Sequence, residues 1–177
     1  MQNYEGIYAG VLILRIALGI VMIAHGYNHI FRGGKIQGTA GWFESLGMKP
    51  GILHAWLASV TELGAGAMLI LGFLTPLAGA GVIGVMFVAL ITNHLKNGFF
   101  IFRPGEGYEY VLTLLLVSFG IAGVGAGKWG IDRHIDSSTL SAWLLGWKGI
   151  LVAAAAGLGG GTALLVTFWR LPAKSES

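Results

Sequence analysis

Two charged residues, Arg15 and Glu62, each interrupt a long apolar run. On membrane-insertion scales an ionisable group inside hydrocarbon costs about 2.5–3.5 kcal/mol, so it needs a partner or a purpose. Arg15 stands about eight residues into the first run, roughly 12 Å from its start at 1.5 Å per residue. Glu62 stands about twelve residues before the end of the second, roughly 18 Å from the same surface. The reading is an Arg15–Glu62 ion pair near the membrane midplane that clamps helix register.

A second polar group gathers at the opposite membrane face. His25 and His29 are four apart and share one helix face, with Asn28 beside them. The third run ends with Asn93, His94, Lys96 and Asn97, and the fourth opens with Arg103, Glu106, Tyr108, Glu109 and Tyr110. Imidazole titrates near neutral pH, and a nearby carboxylate favours its charged form, so this cluster suits proton transfer. His25, His94 and Glu109 are the expected catalytic groups. His29, Lys96, Asn97, Arg103 and Tyr108 are the expected substrate-binding groups, with Lys96 and Arg103 able to hold an anion. His54 and His134 read as loop or interface residues.

Other chemistries have weaker support. Haem between His25 and His94, or zinc on His25, His29 and Glu109, lacks a specific spacing, since histidines four apart are common by chance. The chain has no cysteine, which removes dithiol redox chemistry and thiolate metal sites within it. It has no phosphate-binding glycine loop after a strand and no run of basic residues, so nucleotide chemistry and nucleic-acid binding are not expected.

The elements that must position these groups follow from composition. Of 177 residues, 55% are hydrophobic and 11% charged. Soluble domains carry roughly 25% charged residues. Mean hydropathy is +0.74, which excludes a disordered chain and argues for a membrane protein. A bilayer core of about 30 Å needs about 20 apolar residues in a helix. Five runs are read as spans: 7–31, 51–74, 76–96, 108–124 and 149–169. The runs are continuous rather than alternating, so helices are expected and a barrel is not. Pro76 just after the 72–75 stretch predicts a tight helical hairpin.

Trp42, Phe43 and Leu46 fall on one side of a short helix expected to lie on the membrane surface, and 137–147 suggests a counterpart on the other side. Trp129, Trp143, Trp147 and Trp169 stand near expected membrane boundaries. The last span is rich in Ala and Gly, with Gly157 and Gly161 at the spacing of close helix contacts, so it should pack on this bundle or on a partner chain.

The start MQNYEG lacks a basic leader, so the first span is expected to remain. One end of the bundle carries Lys128, Arg133 and Lys148. The other carries Arg32, Lys35, Lys49, Lys96, Arg103, Arg170 and Lys174. The richer end is expected to be cytoplasmic, with the N-terminus outside and the C-terminus inside.

The stretches LILRIALGIVMIAHGYNHIF, GTAGWFESLGM, ASVTELGAGAMLILGFLTPLAG, FVALITNHLKNGFF, GYEYVLTLLL and GKWGIDRHI together resemble the DoxX family of small bacterial and archaeal membrane proteins. The resemblance runs over about three quarters of the chain, with Arg15, His25, Glu62, His94, Asn97 and Glu109 as its polar positions. It implies a four-helix membrane unit over 1–136, followed over 137–177 by a surface segment, a fifth transmembrane helix and a cytoplasmic tail.

Members of that family include a subunit of a thiosulfate:quinone oxidoreductase. Others are proposed to organise membrane oxidoreductase complexes with soluble thiol-handling and superoxide-removing partners. The resemblance therefore implies a redox-associated protein of the inner membrane, linked to a quinone and working with other membrane or soluble redox proteins or as a homo-oligomer. A quinone would need an apolar slot, donors for its carbonyls and a proton source; Phe99 and Phe100 would flank its ring. The alternatives are a non-catalytic anchor or assembly factor and, behind that, a small transporter lined by Arg15 and Glu62.

Overall fold

The computed structural model describes residues 4–135 and 145–171. Most of the surface segment expected over 137–147, together with Trp143 and Lys174, lies outside them. The described residues form an all-helical membrane bundle, the expected fold class. Its helices are α1 (Glu5–Phe31), α2 (Lys35–Ser45), α3 (Gly51–Leu71), α4 (Thr75–Ala89), α5 (Glu109–Val124) and α6 (Trp147–Phe168). The α4 rod continues through a π turn at Leu90–His94 and a 3₁₀ turn at Leu95–Asn97.

Four rods are long and apolar enough to cross a membrane: α1, α3, Thr75–Asn97 and α6. At 16 residues α5 is shorter, about 24 Å at 1.5 Å per residue. Residues 98–108 cap its start, with Tyr108 and Glu109 N–H bonded to the carbonyls of Gly98 and Phe99.

α4 is central, with α3, α5 and α6 packed around it, while α1 lies against α3. Small residues let the backbones approach. Gly19 and Gly66 face each other on α1 and α3: a β-carbon on either would stand 2.7 Å from the other's carbonyl oxygen. A β-carbon on Gly157 of α6 would come within 2.7 Å of the Ala80 carbonyl on α4, and Gly161 packs on Phe87. The small-residue helix is therefore sealed to its own bundle, as its spacing suggested.

The α3–α4 hairpin shows how the turn chemistry works. Gly72, in the left-handed conformation at φ 63°, ends α3. The N–H groups of Gly72 and Phe73 return to the carbonyls of Leu69 and Met68. Asp132, from a distant loop, then caps α4. Its carboxylate accepts the Leu74 N–H at 2.6 Å, the Thr75 N–H at 2.9 Å and the Thr75 hydroxyl at 2.8 Å.

α2 departs from expectation. Phe43 and Leu46 are buried against the protein and only Trp42 of the three is exposed. The helix roofs the start of α3 and is tied to the end of α6, where Trp169 Nε1 donates to the Leu46 carbonyl at 2.9 Å.

The expected Arg15–Glu62 pair does not form. The contacts of Gly19 with Gly66 and of Gly26 with Ser59 set an antiparallel register that brings Arg15 level with about residue 70. Glu62 is then about eight residues, or about 12 Å, further along. Arg15, fully buried, donates from Nη1 to the Leu69 carbonyl at 3.1 Å and packs against Gly72, near the charge of Asp132. The depth reasoning failed because it measured both helices from one flat surface, whereas α3 ends at Leu71, level with about residue 14 of α1 and so about nine residues, or roughly 14 Å, short of where α1 begins.

Candidate functional site

The partner of Glu62 is His29, with Nδ1 and Oε2 3.0 Å apart. Glu62 is 2% exposed. The approach is an ion-pair contact with the ring nitrogen off-line, so neither atom has a hydrogen-bond partner among the described residues. Gly26 makes the meeting possible: a β-carbon there would stand 3.2 Å from Glu62 Cβ and 2.9 Å from the Ser59 carbonyl.

His29 and Glu62 line a cavity of about 540 Å³ that draws walls from α1, α2, α3, α4, α5 and α6. His25, one turn before His29, bonds the Val21 carbonyl through Nδ1 at 2.9 Å and stacks on Tyr110 with centroids 6.1 Å apart. His94 contributes from the π turn, its Nδ1 2.9 Å from the Glu106 carbonyl and its Nε2 3.3 Å from Asn93 Nδ2. A π turn re-aims side chains that an unbroken α-helix would place elsewhere, and Thr92, Asn93 and His94 all reach the cavity. The remaining wall is apolar. α3 and α6 both pack on α4 but barely on each other, leaving a groove between them walled by Leu57, Gly84, Gly157, Gly161 and Leu164.

Three expected site residues, His25, His29 and His94, thus meet Glu62 in one cavity. The other five do not line it. Asn97 is a loop clamp, donating to the carbonyls of Asn93 at 3.1 Å, Gly105 at 2.5 Å and Glu106 at 3.1 Å. Tyr108 packs edge-on to Phe99 at 5.4 Å. Lys96 faces a separate cavity of about 300 Å³ beside Trp169 and Leu171. Arg103 is exposed on the capping loop, its side chain over Gly98. Glu109 accepts the Thr113 hydroxyl at its backbone carbonyl, and the chain's turn into α5 gives the cavity Tyr110 and Glu106 instead. Phe99 and Phe100 likewise stack on their own loop. Zinc on His25, His29 and Glu109 is not assembled, and among the described residues no group of three or more His, Asp or Glu could hold a metal ion.

Sequence reasoning missed His54. It is 2% exposed and lines the same cavity from the first turns of α3. The available signal was its spacing from Glu62, since 54, 58, 61 and 62 fall on one helical face.

The bundle and its buried titratable cavity define a multi-pass helical membrane protein. Residues 10–95, just under half of the chain, match the family model DoxX. Over 134 residues the chain is 25% identical to the uncharacterized membrane protein Rv3486 of Mycobacterium tuberculosis (strain ATCC 25618 / H37Rv), covering 71% of this chain and 81% of that one. No solved structure matches.

Proposed function

We propose that this protein is a membrane subunit of a redox system and that the cavity beside His29 and Glu62 binds a membrane quinone. The observation that carries the reading is the union, in one cavity, of an apolar groove with buried titratable groups whose polar atoms lack other partners. A buried polar atom left unsatisfied needs an explanation, and a ligand carbonyl supplies one. A bound quinone brings a two-electron, two-proton acceptor to the site. The groove between α3 and α6 accommodates an isoprenoid chain, and His29 donates a hydrogen bond to a ring oxygen.

Glu62 holds the His29 imidazole at 3.0 Å and so aims it at the ring oxygen, to which the imidazole hands a proton. His25 and His94, nearer the membrane face, restore that proton. Without cysteine in the chain, the electrons come from a partner protein's redox centre or from an oxidisable sulfur anion.

Two features weigh against the alternatives. The cavity stops short of Arg15, where a transport path would have to pass. Its histidines are also not bonded to one another, whereas in a passive scaffold they would be. The same reading sets the cavity at the cytoplasmic face of the inner membrane, since the bundle end that holds it also carries most loop Lys and Arg.

The test is purification of the full chain in mild detergent, followed by solvent extraction and chromatography with ultraviolet detection of quinones. Wild-type protein should carry a quinone, or take up added decylubiquinone, and Glu62→Gln should retain less. Wild-type protein that neither carries nor takes up a quinone would overturn the reading.

A further inference from the structure

His54 is the least explained group in the cavity. Both its ring nitrogens lack a hydrogen-bond partner; the Lys49 carbonyl lies nearby, but no ring N–H meets it with bonding geometry. Phe168 stands edge-on at 5.2 Å and Phe43 is tilted at 6.2 Å. The two aromatic rings fix the imidazole but supply no hydrogen bond, and the nearby Lys49 carbonyl stays out of line, so neither ring nitrogen makes a well-formed bond within the protein.

The spacing along α3 gives that arrangement a use. His54, Ala58, Thr61 and Glu62 lie on one face and all four line the cavity. His54 and Glu62 are eight residues apart, about 12 Å along the helix axis. In a para-quinone, two C=O bonds of about 1.2 Å at opposite corners of a six-membered ring put the oxygens about 5 Å apart. A hydrogen bond of about 2.8 Å at each oxygen then sets the two protein groups about 11 Å apart. The small Ala58 and Thr61 side chains between them leave room for a flat ring.

Resting on the quinone reading of the same cavity, we propose that His54 is a second ligand-binding group: His54 and the His29–Glu62 pair hold opposite carbonyls of one para-quinone ring lying along α3. An ortho-quinone, with both oxygens on one side, cannot span the two poles, so the site selects para-quinones.

The test uses the purified full chain, decylubiquinone as probe, quenching of Trp42 fluorescence for affinity, and infrared difference spectra of the bound carbonyls. Wild-type protein should shift both carbonyl bands. His54→Phe keeps the ring volume and should lower affinity about tenfold, returning one band to its free position while the other stays shifted. His54→Gln, which keeps a donor, should recover most of the affinity. Ligand-free His54→Phe should melt no lower than wild type, because the unsatisfied imidazole adds nothing to the empty fold. Quinone bound by His54→Phe with both carbonyls still shifted would overturn the proposal and leave the quinone reading standing. Wild-type protein that binds no decylubiquinone would overturn both.

Discussion

Gly26→Ala isolates the coupling between helix packing and the site. Gly26 lies where α1 crosses α3. An added β-carbon would meet Leu63 Cγ at 2.8 Å, the Ser59 carbonyl oxygen at 2.9 Å and Glu62 Cβ at 3.2 Å. The Leu63 side chain can rotate away, but the Ser59 carbonyl is backbone and cannot. Ordinary contact begins at 3.4 Å, so α1 must move off α3 by about 0.5 Å. His29 stands one turn further along α1, so its 3.0 Å approach to Glu62 lengthens by a similar amount, to about 3.5 Å. Overpacking of this kind costs about 1–3 kcal/mol.

Gly64→Ala is the control: it lies on the same α3, and a β-carbon there meets nothing within 4 Å. Removing a helical glycine without a clash is neutral or gains about 0.5–1 kcal/mol. The assay is thermal unfolding of the detergent-solubilised protein by circular dichroism, paired with decylubiquinone quenching of Trp42. Gly26→Ala should melt below wild type and bind about tenfold more weakly, since about 1.4 kcal/mol is a factor of ten. Gly64→Ala should lose neither property. If Gly26→Ala matched Gly64→Ala in both measurements, the α1–α3 approach would not be what holds His29 against Glu62.

Two further predictions test the network. A double-mutant cycle on stability with His29→Gln and Glu62→Gln should show coupling of at least about 0.5 kcal/mol, while Arg15→Met and Glu62→Gln should add within about 0.5 kcal/mol; the reverse pattern would restore the Arg15–Glu62 clamp. Asp132→Ala removes the side-chain cap on α4 and should cost about 1–2 kcal/mol, read as a lower melting temperature, with decylubiquinone affinity unchanged because the cap lies at the opposite end from the cavity.

Much of the bundle was legible in the chain, because a bilayer imposes its own ruler. Continuous apolar runs, Pro76 after Gly72, and Gly157 with Gly161 each carry a local physical meaning that needs no knowledge of neighbours. The histidine cluster was legible for the same reason: titratable groups ending three apolar runs at one face must lie close together. Its membership was not. Glu109 and Glu106 differ by three positions in a loop-to-helix turn, and only the folded turn decides which of them looks inward. His94 reaches the cavity from a π turn that breaks the regular helical count.

The amino-acid order by itself determined that this is an oily helical bundle with a few costly polar groups, since hydrophobic length and charge depletion act residue by residue. The tertiary structure alone decided who meets whom. Helix register is set by where Gly19, Gly26 and Gly66 let two backbones touch, and a shift of one helical turn would give Glu62 a different mate. That contact, made across the bundle and not along the chain, exchanged Arg15 for His29 and brought His54 into the same cavity.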